Sequence, residues 1–139
     1  MSPEAGSETL ADAFRAVSRQ LRVQTQQALA PWDVTPSQSR ALGTLVRHGA
    51  VRLGTLSEHL RIAPRSATEV VDTLVAAGLV ERRPDPADRR ATLVALTPHG
   101  EEVGAAIRTA RAAEADDFFA RLDDADRARL AEILRQLRV

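Results

Sequence analysis

Residues 55–100 run TLSEHLRIAPRSATEVVDTLVAAGLVERRPDPADRRATLVALTPHG, and a change of hydrophobic period inside this stretch decides the fold. Thr55-Leu56-Ser57-Glu58 has the spacing of a capping box and opens a short helix through Leu60. After a tight connection at Arg61–Ala63, Pro64 starts a second helix, because a first-turn position needs no amide hydrogen. Ala67, Val70, Val71, Leu74 and Val75 recur at helical spacing on one face, and Gly78 supplies the left-handed stop. The period then falls to two. Leu79–Arg83 and Ala91–Leu96 read as short strands, and the Pro- and Asp-rich segment Pro84–Arg90 reads as the charged turn between them.

Outward from this stretch the chain reads as helix on both sides. Upstream, Thr35-Pro36-Ser37-Gln38 combines a cap, a first-turn proline and a capping-box Gln ahead of Leu42, Leu45 and Val46, with Gly49 as the stop. A first helix starting near Ser7 carries Leu10, Phe14, Val17 and Leu21 on one face and is ended by Pro31. Downstream, Thr97-Pro98 launches a long helix with Val103, Ala106, Ile107 and Ala110 on one face, finished by Phe118, Phe119 and Leu122. Asp123–Asp126 cap a last helix bearing Leu130, Ile133, Leu134 and Leu137. The fold class is therefore mainly α (α+β): a winged helix-turn-helix with a two-stranded β wing, flanked by N- and C-terminal helices.

Composition narrows the function classes. A chain of 139 residues, 44% hydrophobic and 27% charged, is a globular protein with room for one domain. With no cysteine, disulfides, thiolate metal sites and thiol redox switches are excluded. No apolar run reaches the ~18 residues of a membrane span, and the N-terminus lacks a basic region followed by an apolar one, so a cytoplasmic location is expected. All 19 basic residues are Arg, a bias read as that of a GC-rich genome, with a functional preference for forked guanidinium contacts as the alternative. Net charge is zero, but residues 40–90 carry 9 Arg against 6 acids while the segments on either side are slightly acidic.

With the apolar stripe of the Pro64–Ala77 helix turned inward, Arg65, Ser66, Thr68, Glu69, Asp72 and Thr73 face outward. Arg65 has the fork that suits guanine, and Ser66 and Thr68 are more tolerant readers of bases or phosphates. Glu69 either accepts from a cytosine amino group or completes a capping box with Ser66, and the cap is the preferred reading. Asp72 is assigned to a nearby Arg. The alternative for the whole face is a solvated amphipathic helix. At the hairpin tip, Asp88-Arg89-Arg90 offers guanidinium groups to a narrow minor groove, with a solvated charged turn as the alternative.

Leu56-Ser57-Glu58-His59-Leu60, Ala76-Ala77-Gly78-Leu79-Val80-Glu81-Arg82-Arg83, Asp85-Pro86-Ala87-Asp88-Arg89-Arg90-Ala91 and Leu96-Thr97-Pro98-His99-Gly100 together resemble the MarR family of bacterial transcription regulators. The resemblance extends over nearly the whole chain. It implies one domain over residues 1–139, with residues 35–96 as the winged DNA-binding lobe and residues 7–30 and 97–138 as a helical dimerisation lobe. It further implies a homodimer that reads a pseudo-palindromic operator in double-stranded DNA. In it Arg90 is the wing-tip arginine entering the minor groove, Asp88 orients it, and Arg89 lies beside it on the backbone. The apolar stripes at both chain ends support pairing independently, since a winged core of ~50 residues cannot cover them all, with packing of these helices back on their own core as the alternative.

Enzyme readings lack support, with no Gly-rich phosphate loop, no nucleophile elbow and no His-Glu pair at helical spacing. His48, His59 and His99 have no ligand spacing, so neither a metal nor a cofactor is expected. The family resemblance implies a small anionic or aromatic inducer, for which Trp32, Phe14 and Arg19 are candidate contacts, with core packing as the alternative for Phe14 and Trp32. The expected function is a sequence-specific regulator of transcription, a promoter-occluding repressor relieved by a small molecule. The alternative is a winged-helix module that binds protein without an operator.

Overall fold

The computed structural model describes residues 6–138; residue 139 and residues 1–5, part of the N-terminal stretch on which the expected cytoplasmic location rests, lie outside that range. The chain divides into two compact units. Leu29–Thr109 forms one, and the segments up to Ala28 and from Ala110 onward form the other.

In the first unit, α2 (Pro36–His48) begins as the sequence predicts. The Thr35 hydroxyl accepts from the Gln38 amide at 3.1 Å and Gln38 Oε1 accepts from the Thr35 amide at 2.9 Å. Gly49, at φ 74°, ends the helix. Then follow β1 (Val51–Arg52), α3 (Leu53–Leu60), α4 (Pro64–Ala76), β2 (Val80–Asp85), β3 (Asp88–Leu96) and the first half of α5 (Pro98–Phe119). The core beneath them is aliphatic: Leu42, Leu45, Leu56, Leu60, Val71, Leu74, Val80, Val94 and Ile107 are all buried. Each such side chain stabilises by about 1.5–3 kcal/mol relative to exposure.

Three local details differ from the sequence reading. The sheet has three antiparallel strands in the order β1-β3-β2, because Val51 and Arg52 pair with Val94 and Leu93. That pairing ends at Arg52 and α3 starts at the next residue, so Thr55 sits inside the helix rather than capping it. Ser57 instead donates its hydroxyl to the Gly54 carbonyl at 2.8 Å. The hairpin is also longer than read. Its turn is only Pro86–Ala87, and Asp88, Arg89 and Arg90 belong to β3.

The start of α5 is fastened to the root of the hairpin. The Thr97 amide donates to the Leu79 carbonyl at 3.1 Å, and the Thr97 hydroxyl donates to the Gly78 carbonyl at 2.6 Å. The Gly100 amide in turn donates to the Thr97 hydroxyl at 2.9 Å. Gly100 packs so closely that a Cβ there would lie 1.8 Å from the Leu79 carbonyl oxygen.

The second unit holds α1 (Leu10–Gln27), the end of α5 and α6 (Asp124–Leu137). Thr9 and Asp12 form a reciprocal capping box, which moves the start of α1 a few residues beyond Ser7. Asp123 caps α6 by accepting from the Asp126 amide at 2.8 Å. Phe118 is buried edge-on against Phe119, with ring centroids 5.0 Å apart. Neither α1 nor α6 contains a buried residue. Leu10 is 87% exposed, Phe14 55% and Leu137 71%. Among the described residues, no helix is long and apolar enough to cross a membrane.

Candidate nucleic-acid interface

Ala67, Val71 and Leu74 are the buried residues of α4. At 3.6 residues per turn, Arg65, Glu69, Asp72 and Ala76 fall on the opposite arc, with Ser66 and Thr68 towards its two flanks. Arg65, Ser66 and Glu69 are exposed; Thr68 is half-buried. The Thr68 hydroxyl donates back to the Pro64 carbonyl at 3.0 Å, which leaves only its lone pairs and methyl group for an outside partner.

The N-cap of α4 is Ala63, and no side chain caps this end. Ser66 lies inside the first turn, so the capping box that the sequence suggested between Ser66 and Glu69 does not form. The first helical bond runs from the Ala67 amide to the Ala63 carbonyl at 3.0 Å. The amides of Arg65 and Ser66 precede it and face out of the helix end, where they favour an anion such as a phosphate.

Two side chains brace α4 from behind. Arg40 on α2 donates to the Leu60 carbonyl at 2.5 Å, and Gln38 donates to the Thr73 hydroxyl at 3.0 Å. Between α3 and α4 the chain turns through Arg61, held in the left-handed region at φ 54°.

The wing is organised by two aspartates. Asp85, 8% exposed, accepts from the Ala87 amide at 2.9 Å and closes the two-residue turn. Its other oxygen accepts from Arg52 Nε at 3.0 Å and lies 2.8 Å from a terminal guanidinium nitrogen, tying β1 to the end of β2. The Ala87 amide and then Arg52 lower the Asp85 pKa below its ordinary value, against the opposing effect of burial. Asp88 accepts from the Arg90 amide at 3.0 Å. It thereby fixes the backbone from which the Arg90 side chain projects, rather than gripping the guanidinium.

These contacts sort the arginines of this unit. Arg52 pairs with Asp85, Arg82 with Asp72 and Arg83 with Glu81. Asp72 thus meets an Arg, as the sequence reading assigned it. Arg65 on α4 and Arg89 and Arg90 on β3 are exposed and have no carboxylate within ion-pair distance among the described residues. Arg65, Arg89 and Arg90 thus place open guanidinium groups where α4 begins and where the hairpin turns.

Sequence reasoning missed the Arg52–Asp85 pair, whose members are 33 positions apart. It also missed the stacking of His48 on His59, with centroids 4.2 Å apart and planes 17° from parallel. Lone pairs in nearly parallel ring planes do not converge on one ion, and no group of three or more His, Cys, Asp or Glu with metal-binding geometry occurs among the described residues. Of the residues considered for an inducer, Phe14 and Arg19 help line a depression on α1 with Arg15, Ser18, Leu21 and Arg22, whereas Trp32 belongs to the other unit.

Comparison with known proteins was consistent with this geometry. A family model described as MarR family matches residues 32–91. An HTH-type transcriptional regulator of Mycobacterium leprae is 38% identical over 99 residues, covering 71% of this chain and 66% of that protein, just under two thirds of its length. The multiple antibiotic resistance protein MarR of Salmonella typhimurium is 33% identical over 75 residues, covering 54% of this chain and 52% of that one. Among solved structures, wild-type MarR from E. coli superposes with a TM-score of 0.81 at 24% identity, covering 93% of this chain and 96% of that one. Bordetella bronchiseptica BpsR, whose DNA binding is regulated by 6-hydroxynicotinic acid, superposes with a TM-score of 0.77 at 27% identity, covering 97% of this chain and 96% of that one.

Proposed function

This chain belongs to the MarR family, and on that premise we propose that it is a transcription regulator that binds a specific operator in double-stranded DNA. The observation that carries the reading is the sorting of arginines. Carboxylates occupy those at the wing's base, while Arg65, Arg89 and Arg90 stay open on α4 and β3. In this reading α4 lies in the major groove, where Arg65 forks onto guanine and Ser66 and Thr68 contact bases or phosphates. Arg90 enters the adjacent minor groove from a backbone that Asp88 holds, and Arg89 meets the phosphates.

The working species is a homodimer. The exposed apolar arcs of α1 and α6, with Phe14, Val17, Ile133 and Leu137 among them, are the surfaces a second copy covers. Twofold symmetry then sets two α4 helices about 34–36 Å apart, one turn of DNA, and demands an inverted-repeat operator. Bound over a promoter, such a dimer represses by occlusion. A small anionic or aromatic ligand relieves it by favouring one spacing of the two recognition helices. The regulation of BpsR by 6-hydroxynicotinic acid supports that class of ligand, as do the arginines and Phe14 on α1.

The test is duplex binding by the intact protein, using the intergenic DNA beside its own gene. Affinity should fall with salt at a log–log slope near −0.9 per phosphate neutralised. Arg65→Ala and Arg90→Ala should each cost about 1–3 kcal/mol. Unchanged binding in both variants refutes the residue assignments. Failure to bind any duplex above non-specific levels refutes operator recognition and favours a protein-binding module.

A further inference from the structure

We infer that Glu69 is a specificity-determining residue that reads a cytosine in the major groove next to the base contacted by Arg65. The inference rests on the operator-binding reading above and adds the base identity that this chain demands. Glu69 is exposed on the outermost arc of α4, one turn beyond Arg65. Among the described residues it has no ion-pair or hydrogen-bond partner, whereas Asp72 on the same helix is held by Arg82 and Glu81 on β2 by Arg83. The Ser66 hydroxyl and the helix start do not engage it either, since the cap of α4 is Ala63.

An unengaged carboxylate on a helix that enters DNA is repelled by the phosphates, and only amino donors on base edges reward it. The major groove offers two, cytosine N4 and adenine N6. Adenine presents its amino group beside the N7 lone pair, which suits a side-chain amide and repels a carboxylate, so cytosine is the base that Glu69 accepts. Arg65 and Glu69 are four residues apart, about 6 Å along the helix axis, a span of one to two base-pair steps. Together they call for a guanine and a cytosine close together in each half-site. Exclusion follows as well, because thymine presents O4, an acceptor that leaves the carboxylate unpaired against another lone pair.

Selection from a random duplex library with the full-length protein, followed by titrations at one fixed salt concentration, tests this. The wild type should select a symmetric motif with one cytosine per half-site, and changing that cytosine to thymine should weaken binding about 5- to 150-fold. Glu69→Ala should bind non-specific DNA more tightly while losing the preference at that position alone. Glu69→Gln should shift it towards adenine. The substituted site is exposed, and far-UV circular dichroism with the melting temperature verifies folding. If the variants select the wild-type motif and tighten on all sequences by one common factor, Glu69 acts only as a charge and the inference is overturned while operator binding stands. If the wild type selects no motif, the operator reading fails and this inference with it.

Discussion

Replacing Gly100 by alanine sets two physical effects of opposite sign against each other. On helix propensity alone, alanine in α5 stabilises by about 1 kcal/mol, because glycine loses more backbone entropy. The structure dictates the reverse. The new Cβ would sit 1.8 Å from the Leu79 carbonyl oxygen and 2.8 Å from its carbon, both backbone atoms that no side-chain rotation can move aside. The first turn of α5 then has to retreat by more than an ångström. That motion strains or breaks the hydrogen bonds from Thr97 to the Leu79 and Gly78 carbonyls. Overpacking of this kind costs about 1–3 kcal/mol and each of the two lost bonds about 0.5–1.5 kcal/mol, giving a net loss of roughly 1–5 kcal/mol after the propensity gain of about 1 kcal/mol. For a chain of this size the melting temperature falls by on the order of 5–15 °C. The control is Gly43→Ala in α2, where a Cβ meets nothing within 4 Å and the propensity gain of about 1 kcal/mol appears alone. Thermal and urea unfolding by circular dichroism, at one protein concentration, reads both. A Gly100→Ala protein as stable as the wild type would refute the close approach of α5 to Leu79.

Asp85→Asn should destabilise the protein at neutral pH, because Arg52 loses its carboxylate. A carboxyl whose folded pKa is depressed stabilises fully above the ordinary value of 3.8 and loses that contribution as pH falls through the lower folded value. The gap between wild type and variant should therefore narrow below that pH, and a gap independent of pH counts against the pairing. Arg61→Gly removes a non-glycine residue from the left-handed region at φ 54° and should raise stability by about 0.5–1 kcal/mol, read as a higher urea midpoint. Phe14→Asp and Ile133→Asp place charge on the exposed arcs of α1 and α6. Each should convert a two-subunit mass to a one-subunit mass in sedimentation, and an unchanged mass in both removes those arcs from the subunit interface.

What sequence could show depended on whether the signal was local. The Thr35–Gln38 box, the proline starts at Pro64 and Pro98 and the glycine stop at Gly78 act over three or four residues, and the structure contains each of them. Gly100 was visible only as part of a family signature; its cause, the approach of Leu79, needs coordinates. A two-residue strand such as Val51–Arg52 is too short to show a period, so β1 was invisible and the start of α3 was misplaced with it. The length of the wing turn depends on the buried Asp85 carboxylate and its distant partner Arg52, which no local pattern encodes. For Glu69, two local readings competed. The cap failed because Ala63, not Ser66, holds the cap position.

The strand carrying Arg89 and Arg90 is also an edge. Along β3, β1 pairs only at Leu93 and Val94, so among the described residues no strand pairs with Asp88 to Thr92 on that side of the sheet. Such a border invites sheet extension by another molecule, and charge is how natural sheets prevent it. The outer border of β2 is protected in the same manner, with Arg82, Arg83 and Pro84, the last lacking an amide hydrogen altogether. The guanidinium groups proposed to meet a polyanion thus also discourage self-association, and a doubly neutralised wing will be prone to precipitate. Light scattering should accompany any binding measurement on that variant, so that turbidity is not mistaken for lost recognition.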